Sequence, residues 1–299
     1  MSQYLLIKRL KVQNANALSS PFTYGFPAVT AFLGLAHKLQ RILNRDNNPD
    51  EFICSGVGIL SHQFTMQDYQ AGYERVLKLT ANPLDKDGDR PSFIEEGRCH
   101  LTVSLVLEVD NLPLQTERFL AKLPQLMMSQ CKLAGGDILS IQRVQLLADE
   151  TKSWRFLLPS YALIERRDLM ITAMQAGQDA LDALHDALKI NYTSTPLEPV
   201  VEGKETKAEW SASRTYADQG WIVPIATGFH ALTPAAFAEQ QRDATTPHRF
   251  AESVVTLGAF MMPLPSRFNS LSELIWRYAP PQKDLYWCTQ HNQYSAADV

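Results

Sequence analysis

Short uncharged polar side chains follow one another near the amino terminus, in the stretch NANALSSPFTY. Amide and hydroxyl groups of this kind can bind the bases or phosphates of a single-stranded nucleic acid without the help of charge. Tyr24 closes the stretch, and an aromatic ring can stack on a base. An ordinary loop with an Asx turn explains the same residues, and both interpretations stay open here. The four polar candidates are Asn14, Asn16, Ser19 and Ser20.

Arg98 and His100 form a second candidate pair, within EEGRCHLTVS. In a β-strand, a spacing of two residues places both side chains on the same face. Together they could hold a phosphate, or His100 could act as a general base in RNA cleavage while a nearby cation stabilises the phosphate. The plainer interpretation of His100 is a hydrogen-bonded histidine of the surface or the core.

A pair of glycines, Gly135 and Gly136, lies in KLAGGD between a predicted helix and a predicted strand. Two glycines let the backbone pass close to a phosphate with its amide donors pointing outward. A helix C-cap followed by a turn requires glycine for a different reason. No G-K-[ST] follows, so the motif is not a Walker loop. Lys132, beside the turn, and Gln142, in the next strand, complete this group of RNA-binding candidates.

A predicted hairpin arm over about residues 67–98 is the fourth candidate. Its basic side chains, Lys78, Lys86 and Arg90, suit insertion against a polymeric ligand, and Asn82 lies in the turn-rich stretch between them. Three aspartates in the same stretch neutralise this charge, so a solvated loop is the alternative interpretation.

Composition limits the function classes. The chain has 299 residues, of which 45% are hydrophobic and 20% charged, which is typical of a globular protein with a sizeable core. A formal net charge of −4 argues against a free-standing nucleic-acid binder, but it allows a local basic groove on a protein assembled with partners. No apolar run approaches the ~20 residues needed to span a bilayer, and no signal peptide is evident, so we expect a cytoplasmic protein. Four scattered cysteines, read as reduced thiols, indicate neither a metal site nor a cofactor.

The first half of the chain alternates strands and helices. This order predicts a ferredoxin-like or RRM-like βαββαβ core, with helices on one face of an antiparallel sheet and the other face free for a ligand. The predicted elements are a strand at 4–13, a helix at 27–43, a strand at 51–64, the hairpin arm, a helix at 116–133 and a strand at 136–147.

The second half predicts a mixed, largely helical region. The α+β chain then divides into an RRM-like core at 1–150, which carries the arm as an inserted β-hairpin thumb, and a region at 151–299 that serves as a subunit interface. The predicted elements of the second region are a helix at 166–190, a linker or exposed loop at 192–209, a strand that starts near residue 220, and helices at 250–261 and 270–277.

Several separate motifs, in order, resemble a known family: RLKVQNANALSSPFTYGFPAVTAFLGLAHKLQR, GVGIL, LTANPLDKDG, IEEGRCHLTVSLVLEV, LAGGDIL, GWIVPIATGFHALTP and RFAESVVTLGAF. They are similar to the second Csy subunit of the type I-F CRISPR surveillance complex, a Cas-five-type member of the RAMP superfamily. The resemblance runs from Lys8 to Tyr286 and is weakest over about 192–209.

The resemblance implies a non-catalytic, RRM-like subunit with a thumb hairpin. It implies a heterodimer with the large Csy subunit that holds the 5′ handle of the CRISPR RNA (crRNA). It also implies an adjacent backbone Csy subunit and target double-stranded DNA near the PAM, contacted indirectly. The opening loop, Arg98 and Gly135–Gly136 match family motifs, so the resemblance implies RNA contact there.

Two alternatives remain open beside this RNA-binding scaffold. One is a metal-independent RNA-processing endonuclease on the same fold, with His100 as general base, although no second candidate acid is evident near it. The other is a protein-interaction module whose second half buries apolar surface on a partner.

Overall fold

The computed structural model describes residues 3–45, 51–78, 84, 86–90, 96–112, 115–148, 150–197, 207–239, 241 and 243–295. Its helices are α1 (Val29–Leu43), α2 (Thr116–Gln130), α3 (Glu150–Leu157), α4 (Arg167–Gln175) and α5 (Ala180–Leu188), with a 3-10 helix at Leu271–Leu274. Its strands are β1 (Gln3–Asn16), β2 (Leu18–Ser20), β3 (Thr23–Tyr24), β4 (Ile53–Met66), β5 (Asp68–Ala71), β6 (Glu74–Leu77), β7 (Arg98–Asp110), β8 (Lys132–Leu133), β9 (Gly136–Leu147), β10 (Tyr161–Glu165), β11 (Asn191–Pro196), β12 (Ala208–Ser213), β13 (Trp221–Ala231), β14 (Ala251–Met261), β15 (Ile275–Tyr278) and β16 (Leu285–Gln290).

Ten antiparallel strands form one sheet that contains strands from both halves of the chain. Their order is β10-β14-β13-β16-β15-β4-β7-β1-β9-β8. β10 also pairs with β4, where Tyr161 lies opposite Ser61. Because β4 pairs with β15 as well, the six strands β4, β15, β16, β13, β14 and β10 close into a ring. The predicted division near residue 150 stays a prediction.

The predicted fold class was wrong, because the second half is mainly β-sheet. Residues 250–261, predicted as a helix, form β14, and residues 270–277 form the 3-10 helix followed by β15. β14 lies between β10 and β13, and its successive residues Thr256, Leu257, Gly258 and Ala259 are all buried, so both faces of the strand are covered there. An apolar run without period-two alternation does not separate a buried strand from a buried helix. The β-branched Val254 and Val255 were the local sign of a strand.

Two further predictions for the second half need correction. The helix predicted at 166–190 is interrupted between α4 and α5 by Gly177, whose φ is +98°. Asp179 then caps α5, and its carboxylate accepts the backbone N–H groups of Leu181 and Asp182. The segment at 192–209, predicted as a linker or loop, overlaps β11 and the start of β12, and these two strands pair with each other.

The described part of the predicted thumb contains a short hairpin of β5 and β6. It turns at Gly72, whose φ is +65°. The predicted turn lay further along the chain, in NPLDKDGDRP, where Asn82 lies outside the described residues.

The helices of the first half cover one face of the sheet. Alternate residues of β1, among them Leu10 and Val12, are buried in one cluster with Phe32 of α1 and Met127 of α2. A second apolar cluster joins α3, α4 and α5 to residues of the ring strands β10, β13 and β14 and to Leu6 at the start of β1. Among the described residues, Lys11 and Gln13 are exposed on the part of this second face that the cluster does not cover.

Candidate nucleic-acid interface

We call the uncovered part of the sheet the open face. It carries a polar cavity of about 340 Å³. Side chains alternate between the two faces along a strand. Leu10 and Val12 of β1 point toward the helices, so Lys11 and Gln13 are exposed on the open face. β4, β7 and β9 supply the other walls. The lining residues are Lys11, Val12, Gln13, Gln63, Thr65, His100, Leu101, Thr102 and Leu139.

Two bulges in β1 shape this face. Arg9 and Asn14 have φ values of +49° and +57°, and at each position the register with β7 shifts. A bulge leaves a backbone amide without its strand partner. Here the amide of Arg9 donates to Ser104 Oγ at 2.9 Å, and that of Asn14 donates to His100 Nδ1 at 3.2 Å. Side chains of β7 therefore fix both bulges.

His100 is a bridging residue in this arrangement. Its Nδ1 accepts from Asn14, and its Nε2 lies 2.9 Å from the side-chain nitrogen of Gln67. The same Gln67 amide donates to Asn14 Oδ1 at 2.7 Å. A neutral ring whose Nδ1 accepts this amide carries its proton on Nε2, so its single lone pair is occupied by a hydrogen bond, as the plainer interpretation of His100 predicted.

Arg98 and Lys78 also lie beside Asn14 and Gln67. The Arg98 guanidinium donates to the carbonyl of Asn14 at 3.3 Å and pairs with Glu96. The backbone amide of Gln67 donates to the carbonyl of Arg98, and the amide of Lys78 donates to the carbonyl of Gln67, both at 2.9 Å. The base of the thumb is thereby fixed to the first residue of β7.

Asn16 and the glycine pair also lie at this end of the sheet. The Asn16 side chain bonds both the amide and the carbonyl of Leu18, which is the predicted Asx-type loop. Its backbone amide donates to the carbonyl of Ala134 at 2.8 Å. The glycines turn tightly between β8 and β9, so neither caps a helix: Gly135 has a φ of +77°.

A side chain at Gly136 would collide with β1, because a Cβ there would lie 2.6 Å from the carbonyl oxygen of Gln13. Both glycines therefore have a structural role, and their contact with RNA stays a prediction. Lys132 is exposed beside them and pairs with Asp137 at 3.0 Å.

Other predicted residues lie elsewhere. Ser19, Ser20 and Tyr24 belong to the β2–β3 hairpin, which contacts β14 through a bond from Ser253 Oγ to the carbonyl of Ser19. Lys86 is an exposed residue of a described turn, and Gln142 is exposed on β9.

A row of cations on β1 and β9 was missed by the sequence interpretation. Lys8 lies opposite Arg143 in the β1–β9 register, and Arg9 and Lys11 follow Lys8 along β1. Among the ion pairs between described residues, none involves these four cations. Burial lowers the pKa of Lys8, and the charges of Arg9 and Arg143 lower it further. The sequence signal was IKRLK, with three cations in four positions.

His62 connects this row to the neighbouring strand. Its Nδ1 lies 2.7 Å from the carbonyl of Pro159, and its Nε2 lies 2.6 Å from Ser104 Oγ. Burial lowers the pKa of His62 despite the bond to Pro159, and the charges of Arg9 and Lys8 act in the same direction as burial. A neutral imidazole with Nδ1–H as donor satisfies all of these contacts.

The described residues contain no group of three or more His, Cys, Asp or Glu side chains arranged to hold a metal ion. All four cysteines are free thiols. In the part of the chain that the structure describes, no helix has both the length and the apolar character needed to cross a membrane.

Comparison with known proteins decides the family. The family model described as CRISPR-associated protein (Cas_Csy2) matches residues 5–288. This chain belongs to the Cas_Csy2 family. A curated relative, CRISPR-associated protein Csy2 of Pseudomonas aeruginosa (strain UCBPP-PA14), is 36% identical over 95% of this chain and 94% of its own length. The resemblance to the second Csy subunit that the motifs predicted is confirmed.

Proposed function

We propose that this Cas_Csy2 chain is a non-catalytic subunit of a type I-F CRISPR surveillance complex. With the large Csy subunit it holds the 5′ handle of the crRNA, and residues 151–299 supply the surface for that subunit. An adjacent backbone Csy subunit is its other neighbour, and target double-stranded DNA is contacted indirectly, near the PAM.

The observation that carries this proposal is the convergence of polar groups beside an uncovered sheet face. Asn14, His100 and Arg98 meet through Gln67, although 86 residues separate Asn14 from His100. Lys11 is exposed on the adjoining open face. Uncharged donors next to a few cations suit an RNA strand, because cations fix phosphates while neutral groups read bases.

We expect a modest salt dependence of handle binding. Each phosphate contact on a single strand contributes about −0.7 to the slope of log K against log salt, so about three contacts give a slope of roughly −2. Fluorescence anisotropy with labelled handle RNA, at several salt concentrations, measures this slope for the reconstituted heterodimer. A slope steeper than about −5 would indicate a broad basic surface elsewhere and contradict the assignment.

Truncation of single basic side chains tests whether the handle RNA binds at the open face. Lys11→Ala and Arg98→Ala should each weaken handle binding by about five- to tenfold, because each removes a charged contact worth about 1–1.5 kcal/mol. Arg118→Ala is the matched control, since Arg118 is an exposed arginine on α2, and α2 packs on the opposite face of the sheet. Equal affinities for all three variants and the wild type would rule out the open face as the handle site.

The Asn14 amide occupies the Nδ1 lone pair, the only one that a neutral His100 ring has, and this supports a non-catalytic role, because a general base needs a free lone pair directed at the substrate. We expect no cleavage when the heterodimer is incubated with precursor crRNA. Site-specific cleavage that His100→Ala abolishes would establish the endonuclease alternative instead.

A further inference from the structure

A second cavity, also of about 340 Å³, lies beside the open face and is mainly aromatic. Its volume is at the lower end of the range for small-molecule sites, roughly 300–1,000 Å³. We call it the aromatic cavity. Its lining residues are Tyr24, Gly25, Phe26, Ser61, His62, Gln63, Phe64, Tyr161, Trp221, Val223, Pro224 and Phe260.

The inner wall of the aromatic cavity is held by contacts between rings. Phe26 stacks on the buried Phe32 with centroids 5.6 Å apart, and it meets the edge of Phe260 at 5.1 Å. Phe260 in turn lies 6.3 Å from Trp221 in an edge-on arrangement. The rings are thus positioned before any ligand binds.

The outer wall leaves large aromatic surfaces uncovered. Trp221 is 66% exposed and Tyr161 is 53% exposed, although both line the cavity. Neither position is needed to fill the core. Exposed rings around a preformed cavity are suited to stacking on a flat ligand.

The aromatic cavity adjoins the open face and lies near the cations of β1. Gln63 lines both cavities. His62, in the wall of the aromatic cavity, contacts the Ser104 hydroxyl that also accepts the amide of Arg9. The charges of Arg9 and Lys8 act on His62, so both cations lie near this wall of the aromatic cavity.

We propose that the aromatic cavity takes one unpaired base of the bound RNA strand, stacked against Trp221 and Tyr161, while the flanking phosphates lie beside Lys8, Arg9 and Lys11. This inference rests on the proposed function. A flat apolar group attached to an anionic chain matches a ring-lined cavity with cations on one side. An apolar side chain of a protein partner would match the rings but not the cations.

The test uses the heterodimer with the large Csy subunit and synthetic handle RNA that carries 2-aminopurine at one position at a time. The fluorescence of one position should be quenched on binding to the wild type. Trp221→Ala should abolish that quenching and weaken binding about tenfold, whereas Trp221→Phe, which keeps a ring, should retain most of both. Trp210→Ala is the matched control, because Trp210 is an equally exposed tryptophan on β12, outside the cavity.

The outcomes separate this inference from the proposed function. If the wild type binds handle RNA but Trp221→Ala and Tyr161→Ala bind it equally well with unchanged quenching, the base-binding inference fails alone. If the wild-type heterodimer binds no handle RNA, the proposed function and the inference both fail. If Trp221→Ala lowers the yield of copurified large subunit, while the heterodimer that does form binds and quenches the handle RNA as the wild type does, a protein group occupies the cavity and the inference is wrong.

Discussion

Ser104 and His100 have the same structural role at two positions of β7. Each side chain accepts the backbone amide that a bulge in β1 leaves unpaired. Each is then held by a residue near or on β4, since His62 contacts Ser104 and Gln67 contacts His100. The two-residue spacing of Arg98 and His100 predicted their shared face, but nothing in the local sequence indicated Gln67 as the residue that joins them.

Glu108 and Arg277 form the ion pair that fixes β15 to the first half of the chain. The Arg277 guanidinium donates to both carboxylate oxygens at 2.8 Å, and the Ser55 hydroxyl adds a bond at 2.9 Å. Burial would raise the pKa of Glu108, but the bonds from Arg277 and Ser55 and the charge of Arg277 outweigh it, so the pKa lies below its usual value.

Arg277→Met should lower the free energy of unfolding by up to about 3 kcal/mol at neutral pH, because it leaves a largely buried carboxylate unpaired. The folded-state pKa of Glu108 is depressed, so the contribution of the pair is full above the unfolded value of about 4.3 and is lost as the pH falls through the folded value. Urea titrations between pH 3 and pH 7 should show the gap between wild type and variant closing in acid.

Arg75→Met is the control for that experiment. Arg75 pairs with Asp68 at 2.8 Å, but its side chain is 58% exposed, and an exposed pair contributes little to stability because water screens it. A pH-independent gap for Arg277→Met, or an equal loss for Arg75→Met, would contradict the role assigned to Glu108.

Strand and helix periodicity was informative where an element has one buried face. The closing strand predicted at 136–147 matches β9, and the helix predicted at 27–43 contains α1. In both, apolar residues recur with the period of the element, because the other face is exposed. β14 and β15 belong to the ring and are buried on more than one side, so this periodic signal is absent and both were misassigned as helices.

Gly136→Ala should destabilise the protein by about 1–3 kcal/mol, as overpacking does. The added methyl group meets backbone on two sides, at 2.6 Å from the Gln13 oxygen and 2.7 Å from the Ala15 nitrogen. β1 or β9 must therefore move. Thermal unfolding monitored by circular dichroism measures the change.

Gly34→Ala is the matched substitution for this test. Gly34 lies in α1, and a Cβ there meets nothing within 4 Å. Alanine should stabilise the helix by roughly 0.5–1 kcal/mol. If both variants changed stability in the same direction, the close contact between β9 and β1 would not explain why residue 136 is a glycine.

The ring of six strands joins the two halves of the chain through β4. Trp276 of β15 is completely buried, and its indole N–H donates to the carbonyl of Leu163 on β10 at 2.9 Å. The side chain of Gln290 is also completely buried and donates to the carbonyls of Leu163 and Leu274. Loss of either half would expose this interior, so we expect the halves to unfold together.

Thiol labelling during a urea titration tests that expectation. Cys99 in β7 and Cys288 in β16 are both 0% exposed, and burial raises the pKa of each thiol to about 12. Each should react only after unfolding, and mass spectrometry should give the same midpoint for both. A lower midpoint for Cys288 would show that the second half unfolds on its own.

Local sequence was sufficient for the family motifs, for β9 and α1, and for most of the polar groups near Asn14. Each of these depends on the spacing of neighbouring residues. Closure of the ring through β4, the contacts of Gln67 and the position of the aromatic cavity depend on residues far apart in the chain. Tyr161 pairs with Ser61 across 100 positions, and such contacts form only when packing, hydrogen bonding and strand register are satisfied together.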